Sequence, residues 1–145
     1  TSLAPRPDAI APLAAADPAA AGDAIAAVVG VAGTYALEHQ PETDALVDLL
    51  GGGREAVPDA WTRASPSTYL SADDGARDRP PVLLLHGEED AVVPPMASEL
   101  FYDLLEAHDV PAECVVAADA GHDVHETQRA FVRGWTTGFL DRQLR

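Results

Sequence analysis

A short apolar run near the middle of the chain constrains the fold more than any other feature. Residues 82–85 read V-L-L-L and lie between a Pro-Pro pair and a His-Gly pair, so the run is too short for a helix. Such a run is typical of a strand buried on both faces of a parallel sheet. Three acids, Glu88, Glu89 and Asp90, follow it, at the strand end where open α/β sheets bind ligands. An acidic turn leading into a helix is the other interpretation.

Strand and helix patterns alternate along the rest of the sequence. Apolar runs at 24–32 and 113–118 predict two more buried strands. Apolar residues three and four positions apart predict helices over 42–50, over 95–108 and from about Val124 to the end. A further short helix is predicted over Pro58–Ala64. This order predicts an α/β fold with parallel strands and flanking helices. We expect a connector with the remnant of a helix over residues 1–23, rich in Ala and Pro, and one domain over 24–145.

Composition and charge exclude several classes of protein. The 145 residues are enough for one domain with a substantial core. A net charge of −15, with no Lys among the bases, argues against nucleic acid and anionic membrane surfaces as partners. A single cysteine, Cys114, excludes an internal disulfide, and no apolar run is long enough to span a membrane.

Two polar loops follow consecutive predicted strands. Asp90 comes after the strand at 82–85, and His122 comes after the strand at 113–118. Because a helical crossover places successive parallel strands side by side, we expect both loops to meet at one edge of the sheet. An Asp that accepts from His Nδ1–H fixes the tautomer that a general base needs. The pair therefore predicts the acid and base of a nucleophilic triad.

These motifs carry a resemblance to a known family. H-G-E-E-D-A-V-V-P at 86–94, A-G-H at 120–122 and G-V-A-G-T-Y at 30–35 resemble the C-terminal half of an α/β-hydrolase. The similarity is to the esterase/lipase branch, and also to prolyl-oligopeptidase-type peptidases, over residues 24–145. It implies that Asp90 is the triad acid and His122 the base, with Glu88 and Glu89 as alternatives for the acid. Under this hypothesis the substrate pocket is lined by Tyr35, Val92, Val93 and Val124.

The sequence departs from that family at the nucleophile. The family Ser lies in G-x-S-x-G upstream of the Asp, and none of the serines here has two flanking glycines. The segment of the oxyanion hole is also missing. We therefore expect the N-terminal half of the hydrolase, as a separate polypeptide, to be the partner that supplies the Ser. The expected activity is a serine esterase acting on a small-molecule ester, with no cofactor and no metal.

Other functions stay open at this point. The missing nucleophile is compatible with a non-catalytic binding or assembly domain, and nothing in the sequence separates ester from amide substrates, so a peptidase of the same fold is a further alternative. Thr1 as an N-terminal nucleophile requires a different fold. His125 and the nearby Asp119 and Asp123 match no metal-ligand spacing. We expect His86 to be structural.

Overall fold

The computed structural model describes residues 25–70 and 79–144. Three parallel strands form one sheet in the order β1-β2-β3: β1 is Val28–Val31, β2 is Val82–Gly87 and β3 is Ala112–Ala117. The predicted parallel α/β architecture is therefore confirmed. The predicted connector over residues 1–23 lies outside the described residues.

Helices connect and flank the strands. They are α1 (Asp44–Leu50), α2 (Pro58–Ala64), α3 (Met96–Ala107), α4 (Val124–Thr127) and α5 (Arg129–Gln143), with 3₁₀ turns at Leu37–His39 and Pro66–Tyr69. Thr43 caps α1 by accepting the Leu46 N–H at 3.3 Å, and Gly51 ends it with a left-handed φ of 82°. In the described part of the chain, no helix is long and apolar enough to cross a membrane.

The prediction of one continuous last helix from Val124 was wrong. Gln128 separates α4 from α5, because its ψ of 45° departs from helical geometry. Its side-chain amide donates to the Ala118 carbonyl at 3.3 Å. The break therefore links the start of α5 to the loop after β3, a contact that local apolar spacing does not reveal.

The central strand β2 is buried on both faces, as its composition predicts. All six of its residues are buried. Leu84 packs in a cluster with Leu105 of α3, whereas Leu85 packs with Phe139 of α5 on the other face. Because side chains alternate across a strand, β2 holds one helix layer against each side of the sheet.

Candidate active site

The loops after β2 and β3 meet at the carboxyl edge of the sheet. Glu88 N–H donates to the Ala117 carbonyl and Glu89 N–H to the Ala120 carbonyl, each at 2.9 Å. Gly87 makes this approach possible, since a Cβ there would lie 2.3 Å from the Ala120 oxygen. The two strand ends are thus fixed to one another by backbone contacts, and Asp90 and His122 lie in the joined loops.

Asp90 is a buried carboxylate with four hydrogen-bond donors. Oδ1 accepts the backbone N–H groups of Val92 at 2.9 Å and Val93 at 2.8 Å. Oδ2 accepts from His122 Nδ1 at 2.9 Å and from His86 Nε2 at 3.1 Å. Burial by itself raises the pKa of Asp90, but the hydrogen bonds from Val93, His122 and Val92 outweigh it and hold the pKa below its ordinary value.

His122 has the geometry that a general base requires. The Nδ1 proton points at Asp90, so the neutral ring carries its lone pair on Nε2. No hydrogen bond to Nε2 occurs within residues 25–70 and 79–144, and the side chain is 45% exposed. The ring is therefore held on one side by a buried acceptor and accessible on the other. Of the three candidate acids, Asp90 is the one whose carboxylate contacts His122, whereas Glu88 and Glu89 are exposed.

His86, expected to be structural, is fully buried beside Asp90. Its Nε2 lies 3.1 Å from Asp90 Oδ2 and 2.9 Å from the Val93 carbonyl, and its Nδ1 lies 2.7 Å from Ser98 Oγ. Ser98, on α3, is also fully buried. The sequence gives no signal for Ser98 beyond its place at the start of an amphipathic helix.

The four predicted substrate-binding residues lie in three different surroundings. Tyr35 stacks on Phe101 with a centroid distance of 4.5 Å and borders a groove of about 660 Å³. The groove wall is mainly apolar and includes Met96, Ala97, Leu100 and Leu104 of α3. Val92 and Val93 belong to the Asp90 loop, where Val92 is exposed and Val93 half-buried, and Val124 is fully buried in a core cluster.

The histidine after His122 lies on the surface. The His125 side chain is 59% exposed, and its nearest acid is Glu126, at 3.7 Å. Among the residues that the structure describes, no three His, Cys, Asp or Glu side chains are grouped so that they could hold a metal ion.

Comparison with known proteins gives a family match. The sequence model described as the prolyl oligopeptidase family matches residues 17–144. No curated protein matches the chain. Thirty-five chains of solved structures match, and among them are two esterases. A truncated carbohydrate esterase from gut microbiota is 23% identical with a TM-score of 0.66, and the propionate-bound esterase Est2 of Thermogutta terrifontis is 19% identical with a TM-score of 0.59. These likenesses confirm the α/β-hydrolase fold.

The match covers most of this chain but only part of each relative. The carbohydrate esterase comparison covers 83% of this chain but only 44% of the esterase. The Est2 comparison covers 80% of this chain and 42% of Est2. A puromycin-hydrolyzing peptidase of Mycobacterium tuberculosis is 25% identical with a TM-score of 0.53, over 66% of this chain and 15% of the peptidase. The chain therefore spans less than half the length of the solved proteins that it resembles.

Proposed function

This chain belongs to the prolyl oligopeptidase family of serine hydrolases, and we propose from that premise that it supplies the acid and the base of an esterase active site. The observation that carries the proposal is the 2.9 Å hydrogen bond between Nδ1 of His122, whose side chain is 45% exposed, and Oδ2 of the buried Asp90. The bond joins the loops of neighbouring parallel strands, where catalytic groups of α/β folds gather.

In the proposed mechanism His122 moves protons and Asp90 holds it in place. His122 Nε2 takes the proton of the nucleophilic Ser as Ser attacks the ester carbonyl, and returns that proton to the leaving alcohol. It then takes a proton from water, which attacks the acyl-enzyme, and gives it back to the departing Ser oxygen. Asp90 keeps Nδ1 protonated throughout and stabilises the imidazolium, because its carboxylate is buried and ionised.

We propose that the nucleophilic Ser and the oxyanion donors belong to an N-terminal half of the hydrolase that lies outside these 145 residues. Two observations support this: the sequence contains no G-x-S-x-G, and the chain covers less than half of the esterases that it resembles. Among the described strands, β1 pairs only with β2, so its other edge is available to a further strand. A parallel strand added there would bring its carboxyl end toward the same edge of the sheet as His122.

We propose a carboxylic ester as the substrate, with its apolar part in the groove bordered by Tyr35. The mainly apolar wall of this groove suits an acyl or alkyl group. The two esterases among the similar structures favour an ester. The puromycin-hydrolyzing peptidase favours an amide as the second candidate substrate.

Three measurements on one purified sample test the proposal. Native and denaturing mass spectrometry show whether a second polypeptide with G-x-S-x-G accompanies the chain. A fluorophosphonate probe and a p-nitrophenyl ester then report a reactive Ser and turnover. We expect labelling of the assembly, loss of nearly all turnover in His122→Ala, and normal turnover in His125→Ala, an exposed histidine one turn away. An assembly that neither labels nor turns over ester would instead indicate the non-catalytic domain.

A further inference from the structure

The hydrogen-bond partners of His86 determine which of its ring nitrogens carries the proton. Nε2 lies 2.9 Å from the Val93 carbonyl oxygen, which only accepts, so Nε2 carries a proton that is shared between that oxygen and Asp90 Oδ2. In the neutral ring Nδ1 is then an acceptor. Ser98 Oγ, 2.7 Å away, is the group that donates to it. Val93 and Asp90 thus require the Nε2–H tautomer, and the buried Ser98 hydroxyl anchors the other side of the ring by donating to Nδ1.

The contacts of His86 tie three separate parts of the site together. Its ring belongs to β2, its Nε2 proton reaches both the carboxylate and the backbone of the loop after β2, and its Nδ1 is anchored to α3. Asp90 Oδ2 accepts from His86 and from His122 at once. A shift of Oδ2 with respect to β2 therefore stretches the bond to His86 as well as the bond to His122.

We propose that His86 is a positioning residue, which holds Asp90 Oδ2 in place for His122, and that Ser98 anchors the His86 ring through Nδ1. This inference rests on the proposed function for its catalytic consequence. Its geometric content, that His86 and Ser98 determine how firmly His122 is held, can be tested separately. His86 and Ser98 are both fully buried, so bulk water does not compete for the hydrogen bonds from His86 to Asp90 and from Ser98 to His86.

Three variants separate positioning from packing. His86→Gln keeps an N–H donor near the place of Nε2, and His86→Phe keeps the ring volume without any donor. Ser98→Ala leaves His86 intact but removes the hydroxyl that anchors its Nδ1 to α3. His125→Phe is the matched control, because that histidine is exposed. All four are made in the protein as purified, with any polypeptide that accompanies it.

The first readout is the steady-state kinetics of ester hydrolysis. We expect His86→Phe to lower kcat by about tenfold to a hundredfold with KM little changed, the loss typical of removing an outer hydrogen-bond partner. We expect His86→Gln to recover much of the lost kcat, and Ser98→Ala to have a kcat between those of His86→Phe and the parent. The kcat of His125→Phe should equal that of the parent. Unchanged kcat in a folded His86→Phe overturns the inference. So does a His86→Gln variant that is as slow as His86→Phe while its melting temperature equals that of the parent.

The second readout does not need catalysis. In the proton NMR spectrum of the parent, we expect the Nδ1 proton of His122 to give a low-field signal whose exchange with solvent is slowed by the hydrogen bond to Asp90. We expect Ser98→Ala and His86→Gln to speed its exchange several-fold, and His125→Phe to leave it unchanged. An unchanged exchange rate in Ser98→Ala overturns the inference, even if His86→Phe does not fold. A protein with no esterase activity but with this pattern would disprove the proposed function and leave the positioning role intact.

Discussion

Gly87 lies so close to Ala120 that a Cβ on Gly87 would stand 2.3 Å from the Ala120 carbonyl oxygen. The Gly121 oxygen would be only slightly farther, at 2.5 Å, and both are backbone atoms that no rotamer change can move away. The absence of a side chain at this one position allows the loop after β3 to pack against the end of β2.

Gly87→Ala should both destabilise the fold and misplace His122. Forcing a methyl group into a closed contact costs about 1–3 kcal/mol, and the relaxation here separates the loops that carry the acid and the base. Unfolding in denaturant measures the free energy of unfolding, and the ester assay measures kcat. Gly134→Ala is the control, since a Cβ at Gly134 in α5 meets nothing within 4 Å. We expect it to leave kcat unchanged and to stabilise the helix slightly. Equal behaviour of the two variants would disprove the steric role of Gly87.

Asp90→Asn should abolish most of the turnover. The amide offers one accepting oxygen where the carboxylate offers two, and each carboxylate oxygen accepts from two donors, so two of the four donors around Asp90 then face the NH₂ group. His122 then loses the partner that fixes its tautomer, and we expect kcat to fall about 10⁴-fold, as in other triads. Glu89→Gln, a neighbouring exposed acid, should retain full activity. Comparable losses in both variants would reassign the acid.

The contribution of Asp90 to stability should depend on pH in acid. The pKa of Asp90 in the folded protein lies below its ordinary value of 3.8. Between these two pKa values the carboxyl group is protonated in the unfolded chain but ionised in the folded protein. The stabilisation is therefore complete above pH 3.8 and is lost as the pH falls through the lowered pKa. Free energies of unfolding of the parent and Asp90→Asn, measured from neutral to acid pH, should converge only in that acid range. A constant difference between the two proteins would contradict the lowered pKa.

The groove bordered by Tyr35 should affect substrate binding more than the chemical step. Leu100 lines it and is 59% exposed, so truncating this side chain removes groove wall with little loss of core. We expect Leu100→Ala to raise KM for longer acyl esters about tenfold with kcat little changed. Leu144→Ala, at a leucine of similar exposure outside the groove, should leave KM unchanged. An unaltered KM in Leu100→Ala would exclude the groove as the acyl site.

The isolated chain should self-associate through β1. Ile25 and Val28 are 50% and 39% exposed beside the strand edge that pairs with no other described strand. Such an edge is a template for pairing. Val28→Lys should reduce association in sedimentation velocity, because a charge at an edge strand opposes pairing. Leu49→Lys alters a more exposed leucine on α1 and should have no effect. A monodisperse 15 kDa parent monomer would contradict this prediction.

The sequence by itself determined the order of strands and helices and the meeting of Asp90 with His122. Short apolar runs bounded by Gly and Pro mark the buried strands, and a helical crossover between parallel strands forces their carboxyl ends together. The tertiary structure alone decided the contacts that no spacing encodes. Gly87 touches a loop more than thirty residues away. His86, expected from the sequence to be structural, contacts Ser98, Asp90 and the Val93 carbonyl because these groups surround its buried ring. Burial of Val124 and the groove position of Tyr35 likewise depend on which elements pack against them, and that is set by the whole fold.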